Sequence, residues 1–147
     1  MSSAEIEELV AKGLAALDHG HNHLALVCFE RAASLEKSPV INSCLAFCNA
    51  SVRRQFAEAI PLCREALALE PAATLHYLNL GRVLVLAGQR REAVDIFRQG
   101  LQIDRDPRLI EELNRLGARK PRVFKSLERN HPLNRFFGLV LSKLGLR

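Results

Sequence analysis

Apolar residues recur along most of the chain at intervals of three and four, the spacing that places side chains on one face of an α-helix. The first such stripe consists of Ile6, Leu9, Val10, Leu14 and Leu17. Runs in which Val, Ile or Thr alternate with polar residues, the pattern of a half-buried strand, do not occur. The pattern therefore predicts an all-α fold without a sheet.

Small residues return along these helices with a period of 34 residues, and short turn signals separate one helix from the next. The positions that recur at one or two periods are Ala25, Ala59 and Ala93, Gly13 and Gly81, and Gly20 and Gly88. Small residues allow two helices to cross closely, so Ala25, Ala59, Ala93 and Gly81 are expected at helix crossings. We expect Gly13 and Gly81 to face Ala25 and Ala93, with Phe29 and Phe97 directed towards the next unit.

The third unit is similar to the tetratricopeptide-repeat signature over Tyr77–Leu84, Gly88, Glu92-Ala93, Phe97 and Leu101–Asp104. Units one and two keep parts of the same signature, and the resemblance covers residues 4–106. It implies a right-handed α-solenoid of three helix-turn-helix units, 4–38, 39–72 and 73–106. A helix over 107–117 would shield the last unit, which gives seven principal helices.

Unit two departs from the signature because Ala46-Phe47 stands where the family has Leu-Gly. Leu45-Ala46 fits those two slots if one extra residue precedes the turn. The sequence therefore leaves the exact register of the helix over 41–53 open.

The resemblance also implies a partner-binding concave face, lined by the first helix of each unit. The positions on that face are Val10, Leu14, Leu17, Asp18, Ile41, Cys44, Cys48, Val52, Leu75, Leu78, Arg82 and Val85. They are mostly apolar, which suits an amphipathic helix of a protein partner. The positions that hold a terminal carboxylate in some family members are here mainly Val10, Leu14, Leu45, Leu75 and Asn79, so chaperone-tail recognition is not expected.

The net charge of +5 is concentrated in a C-terminal tail, residues 119–147, which follows a repeat domain over residues 1–118. The tail also carries an apolar stripe at helical spacing: Leu133, Phe136, Phe137, Val140, Leu141 and Leu144. A nucleic-acid-binding arm has no need for such a stripe, so nucleic acid is not expected as a partner. Packing in the chain's own groove, as an autoinhibitory plug, is the leading interpretation. Anchoring to a membrane surface is the alternative.

Two clusters of side chains resemble metal ligands, but neither pattern favours a metal site. His19, His21 and His23 form a chelating pattern without an evident fourth ligand. The four cysteines lack the close pairs of a zinc site, and buried cysteine usually packs as a small apolar residue. No nucleophile–base pair, phosphate-binding glycine loop or paired-carboxylate motif is present, so no catalytic residue, metal or cofactor is expected.

The sequence therefore predicts a non-enzymatic protein-interaction adaptor. The N-terminus is acidic and polar, unlike a secretory signal peptide, and no segment has the length of apolar residues that spans a bilayer. Together with the unpaired pattern of the cysteines, these features predict a cytoplasmic protein. Self-association with a second copy of the chain stays open as an alternative.

Overall fold

The computed structural model describes residues 3–117 together with residues 139, 142, 143 and 145. The helices are α1 (Ser3–Asp18), α2 (Asn22–Leu35), α3 (Pro39–Arg53), α4 (Phe56–Leu69), α5 (Thr74–Leu86), α6 (Arg90–Ile103) and α7 (Pro107–Arg115). No strand occurs among the described residues. The chain divides into two compact units, Met1–Leu116 and Gly117–Arg147. The prediction of an all-α solenoid is confirmed, and residues 3–117 contain the seven principal helices that were predicted.

Two helices begin with a side-chain cap followed by proline. The Ser38 hydroxyl accepts a hydrogen bond of 3.2 Å from the backbone N–H of Ile41 at the start of α3. Asp106 does the same for the N–H of Arg108 at the start of α7, at 3.0 Å. Proline follows each cap because the first helical residue has no intrahelical partner for its N–H.

Each unit turns between its two helices through one residue with left-handed backbone geometry. These residues are Gly20, Arg54 and Gly88, with φ angles of 74°, 59° and 81°. They stand 34 residues apart, so the second unit keeps the period of the other two. The second unit therefore has no extra residue before the turn, which settles the register that the sequence left open, and Phe47 occupies the slot that Gly13 and Gly81 fill elsewhere.

The second unit accommodates Phe47 because the large and the small residue exchange places. In units one and three a glycine of the first helix lies under a phenylalanine of the second: Gly13 under Phe29 and Gly81 under Phe97. In unit two the first helix carries the ring of Phe47. The position on α4 that corresponds to Phe29 and Phe97 holds Cys63, and both residues belong to one buried cluster. Each unit thus combines one ring with one small residue at these two positions, even though unit two reverses their places.

The side chains nearest to Gly13 and Gly81 are the rings of Phe29 and Phe97. A Cβ atom added at Gly13 would lie 2.7 Å from the Phe29 ring. Ala25 and Ala93 are buried with no exposed surface, and Ala59 has almost none. The glycines and the alanines therefore both occupy tightly packed positions. The phenylalanine ring that fills the space above each glycine belongs to the same unit as that glycine.

Candidate partner-binding groove

One open cavity of about 420 Å³ lies where the first helices of the units meet α7. We call it the C-terminal cavity. It is lined by Leu17, Asp18, Gly20, Asn22, Phe47, Ser51, Arg82, Val85, Leu86, Arg108, Glu111, Glu112 and Arg115. Apart from Gly20 in a turn and Asn22 at the start of α2, all of these residues belong to α1, α3, α5 and α7.

A second cavity of about 440 Å³ lies between α1 and the start of α3. We call it the N-terminal cavity, and it is lined by Ser3, Ile6, Glu7, Val10, Ala11, Leu14, Glu36, Ser38, Val40 and Ile41. Its lining includes five aliphatic side chains larger than alanine, together with the carboxylates of Glu7 and Glu36. This cavity can accept apolar side chains beside a basic one.

The twelve groove residues that the sequence predicts fall into three settings. The C-terminal cavity is lined by Leu17, Asp18, Arg82 and Val85, and the N-terminal cavity by Val10, Leu14 and Ile41. Ile41 is nearly buried even though it lines that cavity. The other buried residues, which have little or no surface to offer an external partner in this conformation, are Cys44, Cys48 and Leu78. Val52 and Leu75 are half-buried beside the core cluster of α2 and α3.

The C-terminal cavity differs from the mostly apolar face that the sequence predicts. Three arginines and three acids line it: Arg82, Arg108, Arg115, Asp18, Glu111 and Glu112. Four of these six residues come from α7, which the sequence analysis treated only as a shield for the last unit. α7 instead takes the place that the first helix of a further unit would occupy.

Arg82 links three helices within this cavity. Its Nε–H donates a 2.8 Å hydrogen bond to Oε1 of Glu112 on α7. Its guanidinium carbon lies 5.6 Å from the ring centroid of Phe47 on α3, which is a cation–π distance. Glu112 is almost buried and also lies 3.6 Å from the guanidinium of Arg115. The guanidinium of Arg82 is therefore held in place before any partner arrives.

Arg108 is held at the rim of the same cavity by Asp106. Three side-chain hydrogen bonds of 2.7–3.2 Å join the two, and Thr74 donates another of 3.0 Å to Asp106. The guanidinium of Arg108 lowers the pKa of the Asp106 carboxyl from 3.8 to about 2. The hydrogen bonds to Asp106, and to a smaller extent the charge of Asp18 at the end of α1, raise the pKa of Arg108. The two ends of the solenoid thus face one another across the cavity.

Outside the cavities, four polar side chains form a buried relay between units two and three. Asn79 Nδ2 donates to Ser43 Oγ over 3.1 Å, and Ser43 Oγ lies 2.9 Å from His76 Nδ1. His76 Nε2 lies 2.8 Å from Oε1 of Glu70, whose side chain reaches solvent. The proton arrangement that satisfies these contacts places hydrogen on Nε2, so that Nδ1 accepts from the serine hydroxyl.

A serine, a histidine and a carboxylate in sequence resemble a nucleophile with its base, and the sequence analysis did not anticipate their convergence. Ser43 and His76 have no exposed surface, and Ser43 lines neither cavity described above. A substrate carbonyl must come within about 3 Å of a nucleophile, which this burial prevents. The relay therefore satisfies buried polar groups of α3 and α5 rather than performing acyl transfer.

The four cysteines are free and buried, as the sequence analysis expected for core residues. Burial raises the pKa of Cys44 from 9.0 to about 11, and the pKa values of Cys48 and Cys63 to about 12. Thiolates are the reactive and metal-binding form, so these side chains act as small apolar residues.

The histidine turn is exposed, and its first two rings lie with centroids 6.1 Å apart. His19 Nδ1 lies 2.8 Å from the carbonyl oxygen of Ala15, so one ring nitrogen already has a partner. Among the described residues, no group of three His, Cys, Asp or Glu side chains is arranged to hold a metal ion.

The tail stripe predicted from the sequence, Leu133, Phe136, Phe137, Val140, Leu141 and Leu144, lies outside the described residues. Of its neighbours, Leu139 is described and is exposed. No helix within the described part of the chain has both the length and the apolar character needed to cross a membrane.

Comparison with known proteins agrees with this geometry. Residues 53–116 match a family model described as tetratricopeptide repeat. No curated protein matches the chain in sequence. Among solved structures, the first TPR domain of Spaghetti (RPAP3), bound to the HSP90 peptide SRMEEVD, shares 21% identity over 80% of this chain and 94% of that chain, with a TM-score of 0.59.

Two further structures show the same fold at similar distance. The second TPR domain of human RPAP3, in complex with the HSP70 peptide SGPTIEEVD, shares 16% identity over 79% of this chain and 98% of that chain, with a TM-score of 0.56. The translocator chaperone SycD of Yersinia enterocolitica type III secretion shares 18% identity over 80% of this chain and 89% of that chain, with a TM-score of 0.57. The matched residues, the 34-residue period and the stacked helix pairs together show that residues 3–116 have the tetratricopeptide-repeat fold.

Proposed function

We propose that this protein is an interaction module that binds a segment of another polypeptide along the groove formed by its first helices. The observation that carries the proposal is the pair of cavities of about 420 and 440 Å³, whose helical lining comes almost entirely from α1, α3, α5 and α7. Concave sites of this size accept several side chains of a ligand. The proposal assigns the protein no catalytic role.

The solved structures support a polypeptide as the ligand. Two of the TPR domains that share this fold are bound to peptides of HSP90 and HSP70. The groove of the present chain differs in chemistry from a terminal-carboxylate clamp, because the residues expected at the clamp positions are mainly Val10, Leu14, Leu45, Leu75 and Asn79. We therefore propose a different class of peptide.

An amphipathic helix fits the two cavities best. The N-terminal cavity offers Ile6, Val10 and Leu14 to apolar side chains and two carboxylates to a neighbouring basic side chain. The C-terminal cavity offers charged groups of both signs beside Leu17 and Phe47. A helix that presents an apolar stripe with flanking charges meets both requirements.

Selection from a displayed library of amphipathic helical peptides about 18 residues long, against the full 147-residue chain, tests this proposal. Selected peptides should bind in calorimetry, and Ile6→Asp or Leu17→Asp should each weaken binding at least about tenfold, since a charge opposes burial of an apolar partner. Val27→Asp is the matched control, because Val27 is 63% exposed on α2 and lines neither cavity. Equal loss in all three variants, with circular dichroism showing intact folds, would contradict binding in the groove.

Three finer features of the proposal come from the sequence. We propose a cytoplasmic location, which the four free, buried thiols support because such thiols suit a reducing compartment. Autoinhibition by residues 119–147 stays a prediction, as those residues lie largely outside the described part of the chain. Self-association likewise stays a prediction.

A further inference from the structure

We infer that the buried relay is a proton-binding site, and that its central hydrogen bond reverses direction when the ring of His76 takes up a second proton. The relay consists of Ser43, His76, Asn79 and Glu70 and joins α3 to α5. This property belongs to the contact between units two and three, so it does not depend on the proposed function.

In the neutral relay, the hydroxyl hydrogen of Ser43 is directed at the ring. Nε2–H of His76 donates to the Glu70 carboxylate over 2.8 Å, and Nδ1 accepts from the Ser43 hydroxyl over 2.9 Å. The Ser43 oxygen in turn accepts from Nδ2 of Asn79 over 3.1 Å. A hydroxyl has one hydrogen and two lone pairs, so one lone pair of Ser43 is still available.

A second acceptor for the Ser43 hydroxyl allows the ring to carry a further proton. Once Nδ1 carries hydrogen it can only donate, so the Ser43 oxygen must accept from it and the hydroxyl hydrogen must turn elsewhere. The carbonyl oxygen of Val40, about one helical turn earlier on α3, lies 3.4 Å from Ser43 Oγ and can accept that hydrogen. One proton from solvent is bound, the heavy atoms keep their places, and the hydrogen bond between Ser43 and His76 reverses.

The amide of Asn79 offers the hydroxyl another acceptor. Its Oδ1 is buried and has no hydrogen-bond partner among the described residues. A half-turn of the amide would place Oδ1 where Nδ2 now lies, 3.1 Å from Ser43 Oγ and 3.5 Å from Cys44 Sγ. Hydroxyl and thiol can both donate, so this rotation keeps both contacts while it exchanges donor and acceptor.

Glu70 supplies the counter-charge that a protonated ring needs. His76 has no exposed surface, and a buried imidazolium without an opposite charge would be strongly disfavoured. The Glu70 carboxylate oxygen lies 2.8 Å from Nε2, while the Glu70 side chain is 44% exposed. The carboxylate therefore faces the ring on one side and solvent on the other.

The other groups around His76 supply no competing charge. Cys44 on α3 and Cys63 on α4 are neutral at physiological pH, because burial raises their pKa values to about 11 and about 12. On α5 itself, the hydroxyl of Tyr77 donates to the carbonyl oxygen of Pro71. The buried residues of α6 are uncharged. The charged groups at the α7 end of the stack that contact α5 are already paired: Asp106 with Arg108, and Glu112 with Arg82.

Nitrogen NMR of the full chain labelled with ¹⁵N-histidine tests the site. The ring nitrogens of His76 are followed from pH 8 to pH 5, the range in which histidine usually changes charge. The exposed rings of His19, His21 and His23 are internal controls, and His76→Gln assigns the relay signals. At pH 8, Nε2 should carry hydrogen and Nδ1 should not.

On acidification, Nδ1 of His76 should gain a hydrogen while Nε2 keeps its own. The amide protons of α3 and α5 should keep their protection from exchange within about twofold, because the helices stay in register. A ring that remains singly protonated at pH 5, while the three exposed rings titrate, would overturn the inference. Protonation accompanied by loss of that protection would also overturn it, since the relay would then break instead of reversing.

Glu70→Gln tests the counter-charge with little change in shape. The glutamine oxygen can still accept from Nε2–H, but it carries no charge. At equal pH, the ratio of doubly to singly protonated His76 should fall at least about threefold, a modest factor because the carboxylate is partly exposed. Glu65→Gln is the matched control, because it removes an exposed carboxylate of α4 outside the relay and should leave the ratio unchanged. Equal ratios in Glu70→Gln and the wild type would overturn the inference.

Discussion

The contact between Gly81 and Phe97 makes a quantitative prediction about the third unit. A Cβ atom added at Gly81 would lie 2.6 Å from Cδ1 and Cζ of the ring and closer still to Cε1. Carbon atoms pack at about 3.5–4.0 Å, so the ring must move by roughly 1 Å or more. Phe97 has no exposed surface, and the displacement therefore passes to its neighbours.

Two opposing effects decide the stability of Gly81→Ala. Alanine is favoured over glycine inside a helix by about 1 kcal/mol. Overpacking a closed core costs about 1–3 kcal/mol, and the short contact places this site in the upper part of that range. We expect a net loss of about 1–2 kcal/mol in the free energy of unfolding, or a fall in Tm of about 3–6 °C.

Gly13→Ala is the matched comparison, because the equivalent contact with Phe29 is longer, at 2.7 Å. Its net effect should be close to zero. Urea unfolding followed by circular dichroism measures both variants. Combining Gly81→Ala with Phe97→Leu should recover at least about 1 kcal/mol of the loss as coupling energy. If Gly81→Ala were as stable as the wild type, or Gly13→Ala less stable than Gly81→Ala, the packing argument would be refuted.

Three further predictions follow from buried or capped groups. Folding raises the pKa of Cys44 from 9.0 to about 11, so the contribution of this thiol to the free energy of unfolding is full below pH 9 and should fall as the pH rises through about 11. Labelling of the thiols in the native protein should be slow. Fast labelling at pH 8 would contradict their burial. Because Arg108 lowers the pKa of Asp106 from 3.8 to about 2, its contribution should disappear between about pH 4 and pH 2. Asp106→Ala should cost about 1 kcal/mol at pH 7 and show no further loss in that acid range, as read from urea midpoints. His76→Leu leaves the buried hydroxyl of Ser43 without its histidine partner and should lower the free energy of unfolding by about 1–3 kcal/mol. An unchanged urea midpoint would show that the relay contributes no stability.

The sequence was sufficient for the fold because the signals that specify it are local and repeated. The 34-residue spacing of Ala25, Ala59 and Ala93 and the helical stripes each lie within one or two helices. The register of α3, by contrast, could not be decided from the sequence. Phe47 violates the motif when unit two is read alone, and its compensation by Cys63 appears only when the two facing helices are considered together.

The candidate site was predicted less completely than the fold, because it depends on how distant segments meet. Arg108 and Arg115 belong to α7, whose charged pattern resembles that of a solvated capping helix until the solenoid brings it beside α5. Ser43 and His76 are separated by 33 residues, and neither is unusual in its own segment. Polar residues within an otherwise apolar stripe were the available signal, and pairing them requires knowledge of the helix order.

The buried relay also determines which units can be neighbours. Apolar crossings such as those of Gly13 and Gly81 are similar in chemistry, so by themselves they would tolerate exchanged or slipped helix pairs. The hydroxyl of Ser43 gains its partners His76 and Asn79 only when α5 packs against α3 in one register. A mispaired stack would bury these groups without partners and be penalised by several kcal/mol. Units two and three therefore cannot be shuffled or duplicated independently, and rearranged versions of this chain should assemble only if the pair moves together.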